Sequence, residues 1–171
     1  MMKKFPYPAL SFFAFILGGV NVTTSALETT HESTQAKPMV IEESNFQQLS
    51  EEMEQKSLGL LLMFHAENCP YCALMEKEIL SPMLKSGDYE DKVIIRKLQL
   101  DESRDIKNFQ GEMVQPSDMA ARYNVTVTPT LVFLDKNGNQ KAKKIVGINT
   151  VDYFGVYLDE EIEVLRKNLK Q

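Results

Sequence analysis

The chain contains two cysteines, and they stand at the two ends of the motif Cys69-Pro70-Tyr71-Cys72. A structural disulfide between them would close a very short loop, which restricts the unfolded chain less than a long loop does. A structural zinc ion would need two further ligands, and the sequence offers His31 and His65 alone. A c-type haem would need a histidine at position 73, which is alanine. These comparisons favour redox chemistry, with no metal and no cofactor.

Thiol–disulfide exchange needs a thiolate, and the motif suits the formation of one. Proline is favoured at the first position of a helix, so Pro70 predicts that Cys69 lies at a helix N-terminus. Unpaired backbone N–H groups and the helix dipole stabilise negative charge at that end. We therefore expect Cys69 to be the nucleophile and Cys72, one turn later and more buried, to resolve the mixed disulfide. The alternative is a pair of inert thiols on an amphipathic helix.

The N-terminal 26 residues have the pattern of a secretory signal. Lys3 and Lys4 precede an apolar run at 9–20, and Ala26 offers a cleavage site. A retained membrane anchor is the alternative, but a bilayer span needs about 20 apolar residues and this run has about 12. We therefore expect residues 1–26 to be removed and the protein to be exported to the periplasm.

The composition is that of a soluble globular protein, with 43% hydrophobic and 25% charged residues. Its net charge of -5 disfavours binding to nucleic acid. Residues 27–38 are polar and without periodicity, which indicates a flexible lead-in. Residues 39–171 are enough for one domain with a hydrophobic core, which we expect to be a monomer.

The hydrophobic patterns alternate between strands and helices in the order β-α-β-α-β-α-β-β-α. Ser44 and Gln47 form a possible capping box, Ser81-Pro82 should end or kink the second helix, and Ser117 should cap the third. The segment 101–116 shows a possible short turn around Gly111 and little else. We predict strands at 39–41, 58–64, 93–100, 130–134 and 140–146, and helices at 44–56, 70–80, 117–123 and over about 19 residues from Val151. This order predicts an α/β fold, a mixed sheet with helices on both faces and an Asn137-Gly138 hairpin at its edge.

Several segments, taken in this order, resemble the thioredoxin superfamily over about residues 39–169. They are the strand-to-motif turn from Phe64 to Cys69, the strand carrying Lys97, Thr128-Pro129-Thr130, Asn137-Gly138 and Gly147. The resemblance implies a thioredoxin fold in which a cis peptide precedes Pro129 beside the motif. It also implies that the backbone of Thr128 pairs with an extended substrate. The exported branch similar to SoxW, DsbC and DsbG proteins fits the signal segment and the longer stretch before Ser117.

One position departs from the resemblance. Thioredoxins commonly have a buried aspartate six residues before the nucleophile, where it accepts a proton from the resolving cysteine, and this chain has Met63 there. Glu67 or a water molecule could carry protons instead, and Lys97 could influence the local electrostatics. His65 could tune Cys69, the alternative being a packing or surface role.

The resemblance implies a thiol–disulfide oxidoreductase, and we expect a disulfide reductase. Its partners would be protein clients with disulfides or thiols and a membrane redox protein that recharges the motif. The alternatives are a disulfide isomerase or oxidase, and a redox-inert module that binds peptides through the Pro129 loop. The sequence does not set the direction of electron flow, because that depends on a reduction potential created by local electrostatics.

Overall fold

A mixed five-stranded sheet lies at the centre of the computed structural model, which describes residues 39–148 and 150–170. The predicted signal segment 1–26 and the lead-in 27–38 lie outside the described residues. The strands are β1 (Ile41–Glu42), β2 (Gly59–His65), β3 (Val93–Gln99), β4 (Ile106–Lys107), β5 (Met113–Val114), β6 (Thr130–Leu134) and β7 (Ile145–Val146). The helices are α1 (Phe46–Lys56), α2 (Pro70–Met75), α3 (Ser81–Ser86), α4 (Pro116–Arg122) and α5 (Val151–Asn168).

The central sheet has the strand order β1-β3-β2-β6-β7, and β4 pairs with β5 in a separate two-stranded ribbon. The first three strands of this order are parallel, whereas β6 and β7 run antiparallel to their neighbours. Strands followed by helices give the parallel part, because a parallel connection must cross over the sheet. The predicted α/β fold with a mixed sheet is confirmed.

The central strand β2 is apolar from Leu60 to Phe64, as expected of a strand whose two faces are both covered. Leu61 and Met63 belong to a core cluster shared with α5, and Leu60 and Leu62 belong to a second cluster shared with α1 and α4. Successive side chains of a strand point to opposite faces, so these two clusters lie on opposite sides of the sheet. The cysteine motif follows the C-terminal end of β2, so a strand that is packed on both faces fixes its position.

The first helix begins one residue later than the predicted capping box requires. Asn45, not Ser44, is the N-cap, and its side chain accepts the backbone N–H of Gln48 at 3.2 Å. Asparagine and serine are both favoured N-cap residues, so residue type alone does not choose between these two neighbours. The Ser117 cap is also wrong, because α4 begins at Pro116, a residue type favoured at the first helical position.

The helix that carries the cysteines does not end at Ser81-Pro82, where the sequence predicts either an end or a kink. A π-helical turn, Glu76–Leu80, joins α2 to α3, and helical geometry persists to Ser86. Proline lacks an N–H and crowds the carbonyl group one turn earlier, and the wider turn lies immediately before it. Pro82 is therefore accommodated at the start of α3 and does not terminate the helix.

Two connections differ from their predictions. The segment 101–116 holds the hairpin of β4 and β5, which turns at Gly111 with a φ of +84°. The predicted strand 140–146 is shorter: Gln140 forms an isolated bridge, and regular pairing resumes only at β7. Between Gln140 and β7, the Lys143 N–H donates to the Glu161 carboxylate at 2.8 Å, so this N–H does not pair with a strand.

Within residues 39–148 and 150–170, the helices are all too short or too polar to cross a membrane.

Candidate redox site

Cys69 is the N-cap residue of α2, so its sulfur meets the first unpaired N–H groups of a helix. The Cys72 N–H lies 3.2 Å from the Sγ atom of Cys69 and donates to it. Pro70 is the first helical residue, in the position where its missing N–H costs no hydrogen bond. This surrounding favours a negative charge on the Cys69 sulfur.

Cys72 lies one helical turn further on and is joined to Cys69 by a disulfide bond, with the two Cα atoms 5.2 Å apart. The two residues differ in accessibility: Cys72 is 5% exposed, whereas Cys69 is half-buried. Tyr71 between them is 63% exposed and stands at the surface beside the motif. Cys69 is therefore more accessible from solution than Cys72.

The loop before β6 lies against the motif. The Thr128 hydroxyl group is 3.5 Å from the Cys69 sulfur and donates to it, and the peptide bond from Thr128 to Pro129 is cis. Pro129 is buried, and its carbonyl group accepts the N–H of Gly147 at 2.8 Å. Gly147 has a φ of +72°, which favours glycine at this position. The structure thus brings the Thr128 hydroxyl group to the sulfur of Cys69, with Pro129 joined to Thr128 by the cis peptide bond.

The turn from β2 to α2 is held by a carboxylate. The Glu67 N–H donates to both oxygens of Asp101, at 3.0 and 3.1 Å, and this backbone hydrogen bond is the main reason that the pKa of Asp101 lies below its ordinary value. Asn68 follows with a φ of +55°, a left-handed conformation that asparagine tolerates. The Glu67 side chain itself is exposed, so this residue contributes its backbone to the turn.

His65 ends β2 with its ring largely buried and paired with another strand. Its Nε2 atom lies 2.7 Å from Oε2 of Glu42, and the other oxygen of Glu42 accepts the Gln99 N–H at 2.6 Å. The ring lines the same pocket as the two cysteines. Glu42 therefore orients the imidazole, and the ring contributes to the wall of the site.

Lys97 forms an ion pair with Glu76, a residue that the sequence analysis did not single out. The Lys97 Nζ atom lies 2.7 Å from Oε2 of Glu76, and the side chains are 15% and 22% exposed. Lys97 stands on β3 directly beside Met63 of β2. The signal for Glu76 was its spacing, because a residue four positions after Cys72 lies on the same face of a helix.

A surface pocket of about 480 Å³ collects these groups at the C-terminal end of β2. Four of the predicted site residues line it, namely His65, Cys69, Pro70 and Cys72. The other five predicted residues do not line this pocket, namely Glu67, Tyr71, Lys97, Thr128 and Pro129. The remaining wall residues are Met63, Ala66, Asn68, Ala73 and Glu76. The pocket therefore exposes Cys69 beside the buried Cys72 and the carboxylate of Glu76.

Residues 46–161 match the family model described as a thioredoxin-like domain. The match covers more than half of the chain, and the chain belongs to this family. Members of the family are generally thiol–disulfide oxidoreductases. The fold, the sheet order and the cysteine pair at disulfide distance agree with that class.

Two solved structures illustrate what the chain is similar to. An uncharacterised thioredoxin-like protein from Clostridium perfringens is 26% identical, with a TM-score of 0.49 over 80% of this chain and 90% of that one. Oxidised mitochondrial thioredoxin 3 from Saccharomyces cerevisiae is 25% identical, with a TM-score of 0.49 over 72% of this chain and 93% of that one. A search of the curated proteins finds no match.

Proposed function

We propose that the protein is a thiol–disulfide oxidoreductase that works as a disulfide reductase on protein clients. The observation that carries this proposal is the cysteine pair in a thioredoxin-like domain. Cys69 caps a helix and is accessible, and Cys72 is buried and close enough to form a disulfide with it. A structural disulfide would not need one accessible sulfur at a helix N-terminus.

The reaction proceeds through a mixed disulfide. The Cys69 thiolate attacks one sulfur of a client disulfide, and the second client sulfur leaves as a thiolate that takes a proton from water. Cys72 then loses its proton and attacks the Cys69 sulfur, so the bond between Cys69 and the client breaks. The client gains two electrons and becomes a dithiol, while Cys69 and Cys72 become a disulfide. A separate dithiol donor must reduce that disulfide before the next cycle.

The loop at Thr128 and Pro129 supports a peptide client. The carbonyl group of Pro129 accepts a hydrogen bond from the Gly147 N–H, whereas the Thr128 hydroxyl group lies beside the sulfur of Cys69. An extended client segment laid along Thr128 would pair with its backbone and bring a disulfide to Cys69. The direction assigned here, reduction, follows the likeness of Thr128-Pro129 to exported reductases and isomerases.

Reduction of insulin by the purified protein, with a dithiol donor, tests this function. We expect precipitation of the reduced insulin B chain at a rate far above that of the donor alone. Cys69→Ser should abolish this rate, and Cys72→Ser should accumulate a covalent complex with the client that a thiol reagent releases. Equal activity of wild type and Cys69→Ser would exclude the proposed function.

Export belongs to the same proposal. Lys3, Lys4 and the apolar run at 9–20 support a cleavable signal, and an exported reductase of the SoxW type would be recharged by a membrane redox protein. Cell fractionation followed by N-terminal sequencing checks this point. We expect a periplasmic protein that begins near residue 27, and a full-length protein retained in the membrane would contradict it.

A further inference from the structure

The buried thiol of Cys72 must lose a proton before it can resolve a mixed disulfide, and its surroundings limit where that proton goes. Cys72 is 5% exposed, so bulk water has little access to its sulfur. On the neighbouring strand β2, the pocket wall is formed by Met63, which is 1% exposed and has no group that accepts a proton, and by His65, whose Nε2 atom is paired with Glu42. A carboxylate that lines the pocket must therefore come from another element.

Glu76 supplies the carboxylate of this pocket. Among the described residues that line the pocket, it alone carries a carboxyl group, and it stands one turn after Cys72 on the same helical run. Its backbone N–H donates to the carbonyl group of Cys72, so the two residues are held at a fixed spacing. Side chains at this spacing lie on one face of a helix.

Lys97 holds this carboxylate in place. Its ammonium group lies 2.7 Å from Oε2 of Glu76, and one ion pair leaves the second carboxylate oxygen free for another donor. Both side chains are mostly buried, which strengthens their interaction relative to a surface pair. The ion pair with Lys97 therefore restrains the Glu76 side chain near Cys72 and occupies one of its two carboxylate oxygens.

Two other ionisable side chains near the motif, those of His65 and Asp101, are engaged in hydrogen bonds elsewhere. His65 on β2 is paired with Glu42 on β1, and Asp101 accepts the Glu67 N–H beyond the turn. The loop from Thr128 to Pro129 brings a hydroxyl group to Cys69 and no ionisable side chain. The titratable groups that line the pocket with Cys72 are thus Cys69, His65 and Glu76, and Glu76 is paired with Lys97.

We propose that Glu76 accepts the proton of Cys72 during resolution, with Lys97 as the residue that positions it. This inference rests on the proposed thiol–disulfide function. As the Cys72 sulfur attacks Cys69, its proton passes to the Glu76 carboxylate directly or through one water molecule. The disulfide between Cys69 and the client breaks, and the client sulfur departs as a thiolate with the bonding electrons. Glu76 then releases the proton to solvent, which completes the balance.

Reaction of the reduced full-length protein with Ellman's reagent separates the two steps. Attack by Cys69 releases one thionitrobenzoate and leaves a second one in a mixed disulfide, and attack by Cys72 releases that second one. Stopped-flow absorbance therefore reports nucleophilic attack and resolution as two phases. If the first phase of the wild-type protein is no faster than that of a free model thiol, the proposed function fails, whatever happens to the second phase.

Glu76→Gln keeps an oxygen for Lys97 but removes the proton acceptor. We expect the first phase to change less than about twofold and the second to slow about tenfold or more near neutral pH. The rate of the second phase in this variant should rise about tenfold per pH unit, because it then depends on thiolate formed in advance. Glu76→Asp should recover part of the wild-type rate, and Glu78→Gln, an exposed neighbour, should behave like wild type.

A titration separates proton transfer from simple electrostatics. In the Cys69→Ser background, the ultraviolet absorbance of the thiolate reports the ionisation of Cys72 alone. Glu76→Gln leaves Lys97 without its anion, so we expect Cys72 to ionise at a lower pH than before. Slower resolution despite easier ionisation identifies loss of the proton acceptor. A second phase as fast as that of wild type, with the same pH profile, would overturn the proposal, as would an equal loss in Glu78→Gln.

Discussion

Thr128 is the residue through which the loop before β6 contacts Cys69. Its hydroxyl group donates to the Cys69 sulfur at 3.5 Å, a long hydrogen bond that strengthens when the sulfur is charged. We predict that Thr128→Val, which keeps the shape but removes the donor, slows alkylation of Cys69 by iodoacetamide about threefold near neutral pH. That corresponds to a loss of about 0.6 kcal/mol, at the lower end of one hydrogen bond.

Thr126→Val is the matched control for this substitution, because Thr126 is exposed and precedes the loop. Its alkylation rate should equal that of the wild-type protein. If Thr128→Val reacts as fast as this control over the whole pH range, the hydroxyl group does not stabilise the thiolate.

Asp135 organises the turn after β6 from a buried position, with 7% of its surface exposed. Burial alone would raise its pKa, but hydrogen bonds from Asn139 and Asn137 outweigh burial and hold the pKa below the ordinary value. A carboxyl group whose pKa is lower in the folded state than in the unfolded state stabilises the fold when the pH is above the unfolded-state value of about 3.9. This stabilisation is lost as the pH falls through the folded-state pKa. Asp135 should therefore stabilise the fold at neutral pH and not in strong acid.

Asp135→Asn tests this dependence. We predict a loss of about 1–3 kcal/mol in the free energy of unfolding at neutral pH, because the amide cannot accept all of these hydrogen bonds. The difference from wild type should shrink below a pH of about 4. Urea denaturation across this pH range measures it, and Asp91→Asn, an exposed aspartate, should show no such trend. A difference that stays constant with pH would refute the prediction.

At the scale of the elements, the turn between β6 and β7 depends on a glycine. Gly138 has a φ of +76°, and a Cβ atom there would lie 2.5 Å from the ring of Phe109. Phe109 belongs to the core beneath the insertion that carries β4 and β5. The turn at Gly138 thus packs against Phe109 of the β4–β5 segment. This contact leaves no space for a side chain at position 138.

We predict that Gly138→Ala destabilises the protein by about 2 kcal/mol or more, since it combines left-handed backbone with steric overlap. Gly155 in α5 is the comparison, because a Cβ atom there meets nothing within 4 Å. Gly155→Ala should stabilise by about 0.5–1 kcal/mol through helix propensity. Thermal unfolding of both variants checks this, and similar melting temperatures for the two would contradict it.

The long elements were predictable because their side-chain patterns repeat. Burial along a whole element leaves a pattern over many residues. It is seen in the apolar run of β2 and in the helical stripe of α5, formed by Phe154, Leu158 and Ile162. The ribbon of β4 and β5 was missed, because strands of two residues carry no periodicity. The cap at Asn45 was missed because Ser44 beside it has an equally favourable type.

The site was predictable as far as local spacing determines it. Cys69, Pro70 and Cys72 lie on one helical turn, so their arrangement follows from the sequence alone. The pair of Lys97 and Glu76 required the register of two strands and the packing of a helix across them. Glu67 was considered as a proton carrier because it is close in sequence, but the fold turns its side chain to solvent.

At the scale of the whole molecule, two cores on opposite faces of one sheet stabilise the domain. Ile94 belongs to the core with α1, and Ile162 belongs to the core with α5. We predict that Ile94→Val and Ile162→Val each cost about 0.5–1.5 kcal/mol and that the double variant shows their sum within about 0.5 kcal/mol. Because β2 belongs to both cores, urea unfolding followed by circular dichroism and by tyrosine fluorescence should give one coincident transition. Separate transitions would show that the two cores unfold independently.

Both outer strands of the sheet, β1 and β7, are two residues long. The proposed reduction of protein clients would bring partly unfolded polypeptides to the molecule repeatedly, and such chains can pair with exposed strand edges. An edge this short presents few unpaired backbone groups to an incoming chain. The two edges of this sheet therefore offer little template for aggregation, which would suit the proposed function.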